Sequence, residues 1–324
     1  MEHRREFDYS IALVRIVSCI MIFLCHYVQI LGNPVIAQMA QFFNVGVFVF
    51  FMISGYLLGQ KRINKGKLAL WYKKRIIRIF VPLYIVVIFV LMALYLEGIH
   101  VSLKAVMMYA FNLQAFGANI WGVRQLWFLT IIMICYIVTP VLQHIREYST
   151  VAKRVIITAY ILIQLASAVM GIRMIALYMF YVGTYAVGYY VMPKIVDSIN
   201  NKNKVIWSIA MVVAVGVRLV CKVAIGDSNI YNYIIVLYTQ TILGLWIIIA
   251  VKSVYQAFSD RISRKLIKTL DGYTMEVYMV HMMFMEYPFN MFGKINPIVD
   301  SCMIIICTVV AAVALKKIEK IIIR

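Results

Sequence analysis

Apolar runs of about twenty residues recur along the whole chain, and no other feature limits its fold so strongly. A membrane-spanning helix needs about 20 mostly apolar residues. Runs of that kind fall at 11–31, 39–60, 79–97, 124–143, 154–171, 174–193, 204–223, 231–252, 272–290 and 298–315. The pattern predicts an all-α polytopic membrane protein of about ten transmembrane helices. They are expected to form a single membrane domain over residues 1–324 with no appended soluble domain. Composition excludes the other classes. Hydrophobic residues make up 64% of the chain and charged residues 14%, where a soluble protein carries about 25% charged. A disordered chain would need low hydrophobicity to stay unfolded.

Segment 101–118 is shorter and interrupted by polar residues, and is expected as a re-entrant or interfacial helix on the outer side. The polar start MEHRREFDYS followed by a long apolar run, with no small-residue cleavage site after it, is expected as a retained signal anchor.

The formal net charge of +19 does not point to nucleic acid, because Lys and Arg sit in the short polar gaps between apolar runs. With the N-terminus inside and ten alternating spans, the inner segments hold 25 Lys and Arg, the outer ones 6, and Arg15 lies within the first span. That bias places both termini in the cytoplasm. The six cysteines lie inside apolar runs with neither zinc-site nor disulfide spacing, so no metal site is expected.

Ionisable side chains inside spans are costly and mark function. Arg15 and His26 share the first span. Eleven residues are close to three full helical turns, so both lie on one face, about 16 Å apart along the axis. An anionic part of a long ligand would meet Arg15 and a reactive part would meet His26. The plain alternatives are snorkelling for Arg15 and interhelical packing for His26. On span two, Asn44 matches the depth of His26 and is a candidate to fix its tautomer. Ser54 lies near the depth of Arg15, with Gly55 and Tyr56 next to it in the chain. Ser54-Gly55 offers a small surface with exposed backbone, suited to a ligand or to plain helix packing.

Residues 61–78 hold eight Lys or Arg. Arg75 and Arg78, three apart, share a helix face and suit phosphate oxygens. The competing reading is topology and attraction to anionic lipid. Gln125 and Trp127 open span four at the outer face, as an aromatic belt or a sugar platform with one amide. Glu276 and His281 lie in span nine, as a structural contact or as part of the substrate site.

Together the Arg-x10-His of Arg15 to His26, GVFVFFMISGYLL, WYKKRIIRIFVPLY, QLWFL and YTMEVYMVH resemble the acyltransferase 3 family of integral membrane acyltransferases. The resemblance covers roughly residues 8–315. It implies transfer of an acyl group, most often acetyl, from cytoplasmic acetyl-CoA to a hydroxyl of an extracytoplasmic glycan in a bacterial plasma membrane. The family's essential Arg and His fall on Arg15 and His26, its cytoplasmic Arg pair on Arg75 and Arg78, and its Ser-Gly-aromatic motif on Ser54, Gly55 and Tyr56. Gln125 stands where relatives often carry His. Some members carry a fused extracytoplasmic domain that completes transfer. This chain would acylate its acceptor directly or rely on a separate partner protein. The expectation is an acyl-CoA-dependent O-acyltransferase with His26 as general base, embedded in membrane lipid and binding no nucleic acid. The rival is a glycan exporter without acyl-transfer chemistry.

Overall fold

The computed structural model describes residues 7–32, 34–197 and 199–323. In chain order the helices are α1 (Tyr9–Ile30), α2 (Pro34–Phe43), α3 (Val45–Gly59), α4 (Leu68–Leu96), α5 (Leu103–Ala110), α6 (Trp127–Ile145) and α7 (Thr150–Val169). There follow α8 (Arg173–Tyr190), α9 (Met192–Asp197), α10 (Asn201–Ile225), α11 (Val236–Phe258), α12 (Arg264–Asp271), α13 (Thr274–Val280) and α14 (Pro297–Ile322). No strand occurs among the described residues, so the protein is all-helical.

Among the described residues, eight helical stretches are long and apolar enough to cross a membrane: Tyr9–Ile30, Ala40–Gly59, Leu68–Leu96, Arg124–Ile145, Thr150–Val169, Asn201–Ile225, Tyr231–Phe258 and Pro297–Ile322. They fall on eight of the ten predicted runs. The outward faces of α4, α7, α10 and α14 expose Phe89, Val155, Val213 and Ile306. Such faces suit lipid, which is as apolar as they are.

The remaining two runs differ from expectation. Residues 174–193 do form a helix, α8, but at 18 residues beginning with Arg173 it is not among the eight. Residues 272–290 do not form a continuous span. Helix α13 ends at Val280, a 3-10 turn covers His281–Phe284, and irregular chain leads to α14. The local cause is visible: the His281 ring takes up the Val277 and Tyr278 carbonyls that a continuing helix would use. Further on, Pro288 has no amide hydrogen to extend a helix. Segment 101–118 holds only the eight-residue α5 and a 3-10 turn at Gln114–Phe116. A helix of that length rises about 12 Å, far short of the ~30 Å hydrocarbon core.

The chain divides into two compact units. The first takes the chain through Ile22, then Phe42–Gln60 and Thr158–Thr274; the second takes Phe23–Gln41, Lys61–Ile157 and the chain from Met275. At the core of the first unit is α3, buried except for a partly exposed stripe of Phe50, Ser54, Leu57 and Leu58. A methyl group on Gly55 would strike the Tyr185 carbonyl oxygen and the Tyr189 amide nitrogen of α8, and one on Gly188 would strike the Met52 backbone of α3. The two helices therefore meet backbone to backbone, as small residues permit in membranes. Gly46 packs in the same way against the Ser18 carbonyl of α1.

In the second unit α4 packs with α6 and α14. The chain between α5 and α6 is pinned by side-chain amides. Asn112, at φ 54°, donates to the Leu129 carbonyl at 3.1 Å. Gln114 donates to the Leu126 carbonyl at 2.7 Å and to Asn112 at 3.0 Å. At the head of α14, Asn296 caps the helix. Asp300, 1% exposed, accepts the backbone N–H groups of Gly293, Lys294 and Ile295, tying the preceding loop to the helix.

Candidate functional site

His26 lies in the last two turns of α1, a continuous helix that also carries Arg15. Within the second unit its ring stands 5.3 Å from the His281 ring, centroid to centroid, inclined at 37°. The broken ninth run thus brings together two histidines that the sequence left apart. Phe23, one turn before His26, is 6.1 Å from the His281 ring, and Tyr278 is 5.8 Å from it. Met282, Met285 and Ile304 form the apolar floor, with Tyr27, Phe284 and Phe292 packed around it. The Tyr27 hydroxyl bonds Ser301 at the start of α14.

His281 is buried, and its Nδ1 lies 2.8 Å from the Tyr278 carbonyl. Gln125 is also buried. It donates to the Met279 carbonyl at 3.0 Å, and its own carbonyl accepts the Tyr278 hydroxyl. Gln125 thereby fastens the start of α6 to α13, and Trp127, two residues on, is the first residue of α6. Arg124 forks onto Glu286 with two N–H donors, and the Gly122 amide lies 3.4 Å from the same carboxylate. Trp121 lies under the guanidinium at 5.0 Å.

Deeper in the chain's basic region, Arg75 and Arg78 part company. The Arg75 guanidinium lies 3.8 Å over the Trp71 ring and donates to the Trp71 carbonyl at 2.9 Å. Arg78 is exposed and lines a pocket of about 460 Å³ with Glu276, Lys316, Glu319, Lys320 and Ile323. Glu276 pairs with Lys316 at 2.8 Å. The pocket mixes three cations with two carboxylates, so it is not a simple anion cradle. Glu276 belongs here and His281 belongs with His26, although both were read as one substrate group.

In the first unit, Arg15 is paired with Asp271 at 2.6 Å. Asn44 heads α3, where its side chain makes no capping bond. Gly55 is filled by α8, as described. Tyr56 is buried beside it, and Ser54 is partly exposed.

Sequence reading missed Asp271, Glu286, Arg124 and Tyr278. The acids carried a signal: the chain has only 13 Asp and Glu, and those that flank apolar runs are there for a partner. Arg124 had been counted only as an outer charge.

The fold and the site define a helical membrane protein that sets two imidazoles side by side among apolar helices. Comparison with family models then names the chemistry: a model described as an acyltransferase domain matches residues 8–317. The chain belongs to this family, acyltransferase 3, and is a membrane acyltransferase. No curated protein and no solved structure matches it.

Proposed function

We propose that the protein moves an acyl group, most often acetyl, from cytoplasmic acetyl-CoA to a hydroxyl of a cell-surface glycan, in the plasma membrane of a bacterium. The observation that carries this reading is the His26–His281 pair within a chain whose family is acyltransferase 3.

His26 is the general base. A sugar hydroxyl is a poor nucleophile at neutral pH, and a positioned base that takes its proton during attack is worth ~10²–10⁴-fold in rate. The acceptor oxygen bonds to the thioester carbonyl carbon as its proton passes to His26. The carbon–sulfur bond then breaks, and His26 returns the proton to the departing thiolate. Ester and free thiol are the products, and His26 ends as it began.

Arg78 and the lysines beside it supply the positive charge for the donor's phosphates, with both termini on the same cytoplasmic side. Arg75 supports that helix turn through Trp71. Arg15, paired with Asp271, and Ser54 and Tyr56 are assigned to donor binding, and Asn44 to the support of His26. Trp127 and Gln125 lie toward the acceptor.

The test uses purified protein in lipid nanodiscs, acetyl-CoA labelled in the acetyl group, and envelope glycan from the producing cells. Label should move into the glycan and be released by mild alkali, as an ester requires. Glycan movement across sealed vesicles without label transfer would favour an exporter instead. His26→Ala should insert normally and transfer nothing; near-normal turnover by that variant would remove His26 as the base.

A further inference from the structure

We propose that His281 is a positioning residue for His26: its Nε2 accepts a hydrogen bond from the His26 ring and thereby fixes which His26 nitrogen is free to act as base. The proposal rests on the reading of His26 as the base, and it deepens that reading.

The argument begins with the His281 ring. Its Nδ1 faces two carbonyl oxygens, Tyr278 at 2.8 Å and Val277 at 3.3 Å. Carbonyl oxygens only accept, so Nδ1 carries the hydrogen. A neutral imidazole has one N–H, and the other nitrogen keeps its lone pair. Nε2 is therefore an acceptor. It is buried in a residue only 1% exposed, and no hydrogen-bond partner reaches it among the described residues. A buried acceptor left unmet is costly.

Three rings pack against the His281 ring: Phe23 at 6.1 Å, Tyr278 at 5.8 Å and His26 at 5.3 Å, centroid to centroid. Phe23 has no donor. The Tyr278 hydroxyl is committed to the Gln125 carbonyl. His26 is the ring that can supply an N–H. At the observed centroid separation of 5.3 Å, a rotation of the His26 ring that turns one of its nitrogens toward Nε2 brings the two about 3 Å apart, which is hydrogen-bonding distance.

The consequence for the reaction is direct. Once one His26 nitrogen donates to His281, the lone pair sits on the other, where it can receive the acceptor's proton. In triad enzymes a buried carboxylate plays this orienting part. A neutral imidazole sets the tautomer without bringing a second charge into an apolar site, where desolvating a charge is expensive. The backbone of α13 completes the chain of orientation, from the Tyr278 carbonyl through His281 to His26.

The experiment combines kinetics and nitrogen NMR on the full chain in nanodiscs, with labelled acetyl-CoA and envelope glycan as substrates. His281→Phe is expected to lower kcat ~100-fold, leaving KM for acetyl-CoA and for glycan within about twofold. His281→Gln, whose amide oxygen reaches the Nε2 position, should recover about tenfold of that loss. A merely structural role would not give this split or this rescue. His281→Phe within threefold of the parent, or His281→Gln no better than His281→Phe, overturns the proposal. Nitrogen NMR of histidine-labelled parent protein reads the tautomer without catalysis. It should show His281 protonated at Nδ1, with an Nε2 signal that moves in His26→Ala. Protonation at Nε2, or an Nε2 signal indifferent to His26→Ala, overturns it even if a variant fails to fold. Activity in His26→Ala would sink the general-base reading, whereas the NMR result judges the hydrogen bond separately.

Discussion

Arg15 and Asp271 meet at 2.6 Å although 256 residues separate them in the chain. Asp271 is nearly buried and Arg15 is about three-quarters so, with side-chain exposures of 7% and 24%. Breaking such a pair from one side leaves an uncompensated charge, which costs about 3 kcal/mol or more. Asp271→Ala should therefore lower the thermal midpoint of the solubilised protein by several degrees. Arg15→Leu with Asp271→Ala should recover part of the loss, giving a coupling energy of roughly 1–3 kcal/mol in a double-mutant cycle. Additive losses would mean that the ion pair does not hold the two segments.

Gly55→Ala should be more damaging than its size suggests. The added methyl meets α8 backbone, not a movable side chain. Overpacking costs typically ~1–3 kcal/mol, and more where nothing yields. Expression of folded, monodisperse protein should fall sharply, whereas Ser54→Ala should leave it unchanged. A well-behaved Gly55→Ala would contradict the close packing of α3 on α8.

Arg78→Ala alone should raise the apparent KM for acetyl-CoA by about tenfold, as the loss of a charged contact of ~1.5 kcal/mol would. Arg75→Ala should act differently. Its guanidinium is laid over Trp71, so the variant loses thermal stability more than donor affinity. Steady-state kinetics beside melting curves separate the two, and an unchanged KM for Arg78→Ala would return that charge to topology.

Arg124→Ala strands the Glu286 carboxylate, whose side chain is 9% exposed. The segment from Met285 to Asn296 should then become sensitive to limited proteolysis. Exchanging the charges, Arg124→Glu with Glu286→Arg, should restore part of the protection. Protection unchanged in Arg124→Ala would show that Asp300 holds the segment without help.

Much of this could be read from sequence for a simple reason. A helix in lipid needs only length and apolarity, so the positions of eight spans followed from counting. The Arg15 and His26 spacing was equally legible, because it needs one unbroken helix and α1 is one. The failures share a cause. The break after Val280 arises from a side chain bonding its own helix's carbonyls, which hydropathy does not register. The partnership of His26 with His281 crosses 255 positions, and nothing local announces it. Gly55 looked equally suited to a ligand and to a neighbouring helix, and only the α8 backbone decides between them.

The glycine contact between α3 and α8 also governs how the first unit can move. Helices usually slide past one another on a cushion of side chains that change rotamer. Here main chain rests on main chain at Gly55 and Gly188, and that cushion is missing. The two helices form one strut, and any flexing of this unit during a catalytic cycle must be taken up by the other helices around it.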